Sequence, residues 1–169
     1  MHEAISPYHV AIAAEAFAAG FFARVGFDVS VQYGANQPGY DLVVGKNGKL
    51  MMVSVKGSQD GAWGLLQNYK AGVDYHQAAE AWLADQPMDV VFCLVQFKDV
   101  TLGESPRLYL ATANEIANKL KTQKKGSGYS KLYEYRTYKK GLGLGSVDSI
   151  PDKWKFSFNR VEEFLSSKN

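Results

Sequence analysis

The stretch GYDLVVGKNGKLMMVSVKG, residues 39–57, decides the fold of this chain. Two apolar runs flank Asn47-Gly48, and an Asn-Gly pair in that setting is the strongest short-range signal for a two-residue β-hairpin turn. If these two residues form the centre of a type I′ turn, Lys46 pairs with Lys49 and the register of the whole hairpin is set. The stretch therefore predicts two long antiparallel strands.

In that register Asp41 lies directly opposite Ser54. Strand alternation puts Ser54 and Lys56 on one face and Met51, Val53 and Val55 on the other. Directly opposed side chains have Cβ atoms about 4.5–5.5 Å apart and diagonal neighbours, such as Asp41 and Lys56, about 7–8 Å apart, so a carboxylate and an ammonium lie near each other on one face. Such a pair is suited to bind a cation and a phosphate.

The composition is that of one ordinary soluble domain spanning residues 1–169. Hydrophobic residues make up 46% of the chain and charged residues 21%. No apolar run approaches the length of a membrane span, and the N-terminal stretch lacks the basic region of a signal peptide. The single cysteine, Cys93, lies in an apolar run, which indicates a reducing compartment. We therefore expect a cytoplasmic protein that does not act at a membrane.

Around the hairpin, the apolar patterns and capping signals predict alternating helices and strands. Helices are predicted at residues 7–25, 74–85, 112–120 and 160–165, and strands at residues 28–33, 89–97, 107–111 and 154–158. Residues 34–39, 57–64 and 126–145 are predicted as loops. The run from Val90 to Val95 is continuously apolar, which is typical of a central strand covered on both faces. Trp63 and Trp82 are assigned to packing. The order of elements predicts an α/β fold, with a mixed central sheet flanked by helices.

Positive charge is concentrated between residues 119 and 140, within a Lys/Tyr/Gly-rich elaboration at about residues 119–145. The segment has eight basic residues and one glutamate, so it carries +7, whereas the rest of the chain carries −5. Lysines neutralise phosphates, and the interleaved tyrosines suit stacking on unpaired bases. The alternative is a mobile surface loop whose charges are only solvated. The expected nucleic-acid-binding residues are Lys124, Lys125, Lys131, Arg136, Lys139 and Lys140.

Glu15 is the only charged residue between Val10 and Ala23 in the first predicted helix. An unpaired carboxylate costs free energy if it is buried, so Glu15 faces either water or a cation. The local sequence favours the solvent-facing alternative, because charged residues are usually exposed.

A helix with a glutamate, a strand with an aspartate and a hairpin return ending in x-x-Lys follow one another in this chain. Together with Asp41-Leu42 and Val55-Lys56, this order resembles the PD-(D/E)XK nuclease superfamily, in its restriction-like, junction-resolvase-like and intron-homing-like branches. The resemblance covers roughly residues 5–111. It implies a restriction-endonuclease-like core.

The resemblance also implies roles for individual residues. Asp41 and Glu15 would bind the metal, with the backbone carbonyl of Val55 as a further ligand. Lys56 would position the attacking water. The catalytic set is therefore Glu15, Asp41 and Lys56.

The chain departs from the family pattern at one position. The second acid of the family, two residues before the lysine, is here Ser54, which is a poorer metal ligand. Gln59 and Asp60, just past the lysine, are the residues that could substitute for it.

These features predict a nuclease that uses Mg²⁺ or Mn²⁺ to hydrolyse phosphodiester bonds in nucleic acid, with DNA as the expected form. Cleavage of both strands would favour a symmetric homodimer. The alternative is a catalytically inactive member of the same fold that binds nucleic acid or a protein partner, and Ser54 is the residue that distinguishes the two.

Overall fold

A mixed sheet of five strands forms the centre of the protein. The computed structural model describes residues 5–32 and 39–168. The helices are α1 (Pro7–Arg24), α2 (Tyr75–Ala84), α3 (Ala113–Thr122) and α4 (Phe158–Ser166). The strands of the central sheet are β1 (Asp28–Val31), β2 (Leu42–Lys46), β3 (Lys49–Ser58), β5 (Val90–Gln96) and β6 (Arg107–Thr112). Four short strands lie outside it: β4 (Ala62–Trp63), β7 (Leu132–Tyr133), β8 (Tyr135–Thr137) and β9 (Val147–Ser149).

The hairpin has the predicted register. Lys46 is the partner of Lys49, and Leu42 is the partner of Val53. Asn47 and Gly48 have φ values of 52° and 79°, and positive φ at both central residues is what a type I′ turn requires.

The sheet has the strand order β1-β2-β3-β5-β6. The first three strands form an antiparallel meander. The chain then crosses through α2 and returns as β5, which is parallel to β3, and β6 adds antiparallel to β5. A parallel pair needs such a crossover, because two strands that point the same way cannot be joined by a tight turn.

Each face of the sheet is covered by helices. One core contains Val53 and Val55 of β3 together with the apolar faces of α1 and α4. The other contains Trp63 and Trp82 with the apolar faces of α2 and α3, as the assignment of both tryptophans to packing predicted. All seven residues of β5 are buried, including Cys93, so the prediction of a central, doubly covered strand is confirmed.

Two parts of the prediction are wrong. Residues 126–145 are not one loop, because β7 pairs with β4 and β8 pairs with β9. Residues 154–158 do not form a strand. A 3₁₀ turn spans Asp152–Trp154, one isolated bridge joins Lys155 to Tyr109, and α4 already begins at Phe158.

The remaining elements lie close to their predicted bounds. The first strand ends at Val31 within the described residues. The prediction for residues 33–38 lies outside the described part of the chain. The predicted loop at residues 57–64 contains the end of β3 and all of β4. None of the helices in the described part of the chain is both long and apolar enough to cross a membrane.

Candidate functional site

The candidate site lies at the edge of the sheet where β2 has ended and β3 continues without a partner strand on that side. The pairing of β2 with β3 stops at Leu42 and Val53, and β3 runs on to Ser58 beside β5 only. The next amide on this free edge, that of Val55, donates a hydrogen bond of 2.6 Å to Asp41 Oδ2. Asp41 thus supplies the acceptor that a strand would otherwise offer, and its half-buried carboxylate is held at the edge of the sheet.

The carbonyl of Val55 lies beside Asp41 as well. The amide and carbonyl of one strand residue point toward the same neighbouring strand, so the Val55 carbonyl faces the side from which Asp41 approaches. The buried Val55 side chain belongs to the core beneath α1, whereas the exposed Lys56 side chain lies on the opposite face.

Lys56 is fixed through its backbone. The indole Nε1 of Trp63 donates a hydrogen bond of 2.9 Å to the Lys56 carbonyl. Trp63 itself is buried in the second core. The main chain at Lys56 is therefore anchored to the core while its ammonium group remains in solvent.

Glu15 lies on α1, which covers the face of the sheet that carries the Val55 side chain. Val10 and Ala14 of this helix lie so close to Gly57 that a Cβ built there would be 2.9 Å from the Ala14 Cβ. This close packing brings the half-buried Glu15 to the edge where β2 has ended.

The electrostatics join the three predicted catalytic residues. Burial raises the pKa of the Glu15 carboxyl above its ordinary value, the charge of Asp41 raises this pKa further, and the charge of Lys56 lowers it. Glu15 therefore feels the charges of both Asp41 and Lys56, while its half-buried side chain keeps contact with solvent.

The three auxiliary residues do not join this group. Ser54 is buried, with 4% of its surface exposed, and faces the second core. Asp60 Oδ1 accepts hydrogen bonds from Ser58 Oγ and from the Ala62 amide, which shapes the turn between β3 and β4. Gln59 donates a hydrogen bond to the carbonyl of Ile5, just before α1. Among the described residues, no set of three or more His, Cys, Asp or Glu side chains is arranged to hold a metal ion.

The basic segment begins on α3 and passes beside the site. β7 pairs with β4, so Tyr133 is the partner of Ala62, one residue before Trp63. Lys119 approaches Asp148, and Lys121 forms an ion pair with Glu80. Of the residues predicted to bind nucleic acid, Lys125, Lys139 and Lys140 are exposed, and Lys124, Lys131 and Arg136 are half-buried.

Sequence reasoning missed the roles of Gly57 and Trp63 in positioning the site. An isolated glycine inside a strand pattern signals close approach of another backbone, and that signal was present directly after Lys56. The sequence offered no comparable signal for the hydrogen bond from Trp63, because the partner is a backbone carbonyl.

Comparison with known proteins finds no matching family model, no matching curated protein and no matching solved structure.

Proposed function

We propose that this protein is a metal-dependent nuclease with a restriction-endonuclease-like core, and that Glu15, Asp41 and Lys56 form its active site. The observation that carries the proposal is geometric: Asp41 Oδ2 is held 2.6 Å from the Val55 amide at the free edge of β3, next to Lys56, and α1 packs closely on the adjoining Gly57. Glu15 comes from α1, Asp41 from the residue just before β2 and Lys56 from β3, so the fold brings them to the same edge of the sheet.

The topology supports the same conclusion. The resemblance to the PD-(D/E)XK superfamily rests on a helix, an antiparallel meander and the lysine-bearing strand in that order. The chain follows this order through α1, β1, β2 and β3, and then crosses through α2 to a strand parallel to β3.

The donor atoms fit a weakly held magnesium ion. Mg²⁺ in proteins is often bound by one or two carboxylates while waters and substrate phosphate complete its coordination. Glu15 and Asp41 supply two carboxylates whose mutual repulsion a cation would relieve, and the Val55 carbonyl supplies a third oxygen. When bound there, the ion would polarise a phosphoryl oxygen and lower the pKa of water.

The chain's own residues would divide the remaining work. Lys56 places a positive charge in solvent beside the free edge of β3, where it can stabilise the negative charge that develops on the phosphate. Asp41 is held by the Val55 amide and so keeps its orientation before substrate binds. Glu15 adds the second carboxylate, and burial together with the charge of Asp41 raises its pKa.

A second candidate is a catalytically silent protein of the same fold that binds nucleic acid. Two observations favour it. One oxygen of Asp41 is already engaged by a backbone amide, and Ser54 contributes no carboxylate. In this alternative Asp41 only terminates the hairpin, and the basic segment binds the nucleic acid.

The deciding experiment measures cleavage of labelled single-stranded DNA, duplex DNA and RNA in Mg²⁺ or Mn²⁺. Lys56→Met should lower the rate by about 10²–10³-fold if the lysine stabilises the transition state. Lys49→Met is the matched control, because Lys49 is an exposed lysine on the same strand beside the hairpin turn. Calorimetry with Asp41→Asn should show weaker metal binding.

Equal rates for Lys56→Met and Lys49→Met would refute the assignment of Lys56. If the wild-type protein binds no metal and cuts none of the substrates, the silent alternative is correct.

A further inference from the structure

Arg136 lies on a platform of three tyrosine rings. The centre of its guanidinium group is 4.4 Å from the ring centroid of Tyr133, 5.3 Å from that of Tyr138 and 5.8 Å from that of Tyr129. Tyr129 and Tyr133 also pack against each other, with ring centroids 5.5 Å apart. Guanidinium groups stack on aromatic faces, so the rings fix the position of the arginine.

No ion pair or hydrogen bond joins Arg136 to a carboxylate in the described part of the chain; its cross-strand partner Asp148 instead accepts a hydrogen bond from the Lys124 amide and approaches Lys119. The Nε of Arg136 is buried without a hydrogen-bond partner there, and neither terminal nitrogen forms an ion pair or a hydrogen bond with a described residue. By contrast, Arg107 is bound by both oxygens of Glu134, and Arg160 is bound by Glu115. Arginine is suited to bind a phosphate with two parallel hydrogen bonds, and Arg136 still has this capacity.

The one acid of the basic segment does not neutralise this charge. Glu134 accepts hydrogen bonds from Arg107 and Tyr109. Burial acts to raise its pKa, but these bonds outweigh burial and lower the pKa of the Glu134 carboxyl. Lys124 adds further positive charge, because its Nζ lies 5.5 Å from the ring centroid of Tyr129.

The platform adjoins the candidate active site. Tyr133 is the partner of Ala62 in the pairing of β7 with β4, and the neighbouring Trp63 holds the Lys56 carbonyl. Burial raises the pKa of the Tyr133 phenol, and among the smaller contributions is the charge of Asp60, in the turn just past β3. Only the pairing of β4 with β7 lies between β3 and the platform. A nucleic-acid strand that lies across β3 would therefore also reach the platform.

We propose that Arg136 binds a backbone phosphate of an unpaired nucleic-acid strand, and that the half-exposed rings of Tyr129 and Tyr133 contact the adjacent base. An unpaired strand presents the faces of its base rings for such contacts, whereas a duplex keeps those faces stacked inside and offers only phosphates, sugars and base edges. The inference rests on the proposed function for its biological role, and it names a substrate with an unpaired segment.

The test measures fluorescence anisotropy of a labelled single strand, and of the duplex of the same sequence, with EDTA present so that no cleavage occurs. Arg136→Gln should weaken binding of the single strand by about 10-fold or more, as expected for loss of a charged hydrogen bond. Its dependence of log affinity on log salt should become flatter by roughly 0.7, the contribution of one phosphate contact on a single strand. Arg24→Gln is the matched control, because Arg24 is an exposed arginine at the end of α1, outside the basic segment.

Two further variants separate binding from packing. Tyr133→Leu keeps an apolar side chain but removes the ring, so it should weaken binding of the single strand more than binding of the duplex. Arg136→Lys keeps the charge without the planar fork, so it should bind the single strand between the wild type and Arg136→Gln. It also reports on the site if Arg136→Gln does not fold.

The inference is overturned if Arg136→Gln and Arg136→Lys unfold at lower temperature than the wild type but bind the single strand as tightly. It is overturned as well if Arg24→Gln loses as much affinity as Arg136→Gln. Cleavage that depends on Lys56, with binding that does not depend on Arg136, would support the proposed function and overturn this inference. Binding that depends on Arg136, without metal-dependent cleavage, would support this inference and overturn the proposed function.

Discussion

Gly57 is the position where one added methyl group tests the placement of Glu15. In Gly57→Ala the new Cβ would lie 2.9 Å from the Ala14 Cβ, 2.9 Å from the Val10 carbonyl oxygen and 3.0 Å from Val10 Cγ1. Ordinary contacts begin at 3.4 Å, so α1 must move away from β3 by about half an ångström. The carbonyl oxygen belongs to the helix backbone, so rotation of one side chain cannot relieve the clash.

Overpacking of this kind costs about 1–3 kcal/mol of unfolding free energy. For a domain of this size, that loss lowers Tm by roughly 2–12 °C. The measurement is thermal unfolding followed by circular dichroism. Gly20→Ala is the matched control, because a Cβ at Gly20 meets nothing within 4 Å and the residue lies inside α1. This control should stabilise the protein by about 0.5–1 kcal/mol, since glycine is unfavourable within a helix.

The same displacement should move Glu15 away from Asp41 and reduce the affinity for Mg²⁺. If Gly57→Ala unfolds at the wild-type temperature, α1 does not pack on β3 as described, and the geometry of the candidate site is wrong. If Tm falls but metal affinity is unchanged, Glu15 is not a ligand.

Three other variants test the charges around the site. Ser54→Glu would place a carboxylate at a buried position that faces the second core and should cost at least about 1–3 kcal/mol of unfolding free energy; because this position does not join the group of Glu15 and Asp41, added Mn²⁺ should leave its Tm unchanged, and a rise in Tm with metal would contradict the placement of Ser54. Because burial and Asp41 raise the pKa of Glu15 in the folded protein, its stabilising contribution is present below the unfolded pKa and is lost as pH rises through the folded pKa. Glu15→Gln should therefore be more stable than the wild type at neutral pH without metal, by at most about 1 kcal/mol, and urea unfolding at acid pH should show the difference vanish. The pKa of Glu134 is lowered, so its contribution is present above the unfolded pKa and is lost as pH falls through the folded pKa; Glu134→Gln should flatten the acid limb of the curve of stability against pH, and an unchanged limb would contradict the role of its hydrogen bonds from Arg107.

The hairpin and the central strand could be predicted because their signals are local and strong. Asn47-Gly48 fixes a turn that few other residue pairs allow, and the register follows from it. The run from Val90 to Val95 in β5 is apolar without interruption, and a strand covered on both faces suits such a run.

The pairing of β4 with β7 could not be predicted, because strands of two residues have no periodicity to detect. Ala62 and Trp63 meet Tyr133 and Leu132 from a distant part of the chain. The contact is decided by the burial of Trp63 and Leu132 in the second core. The tyrosine-rich segment looked like a loop for this reason.

The predicted strand at residues 154–158 failed for a different reason. Trp154 and Phe156 alternate in the sequence, but Trp154 packs in the second core and Phe156 against the first. The chain passes along the edge of β6, where the Phe156 amide bonds the Leu108 carbonyl. Ser157 then caps α4 by accepting a hydrogen bond from the Arg160 amide, which ends the extended segment.

The face on which Glu15 lies also needed the structure. Its neighbours along α1 are apolar on every side, so the helix carries little indication of which side is buried. Packing of Ala14 against Gly57 decides the orientation, and this contact joins two elements far apart in the sequence.

The single thiol makes the centre of the sheet a reporter of rare opening events. Cys93 is fully buried beside Val55, and burial raises the pKa of its thiol. A thiol reagent can reach it only when β5 separates from its neighbours, so the labelling rate under native conditions measures how often this strand opens. A ligand that binds at the edge of β3 should slow that reaction in proportion to its occupancy. Modification of one sulfur atom, without any engineered probe, would therefore measure the affinity of the site for metal or nucleic acid.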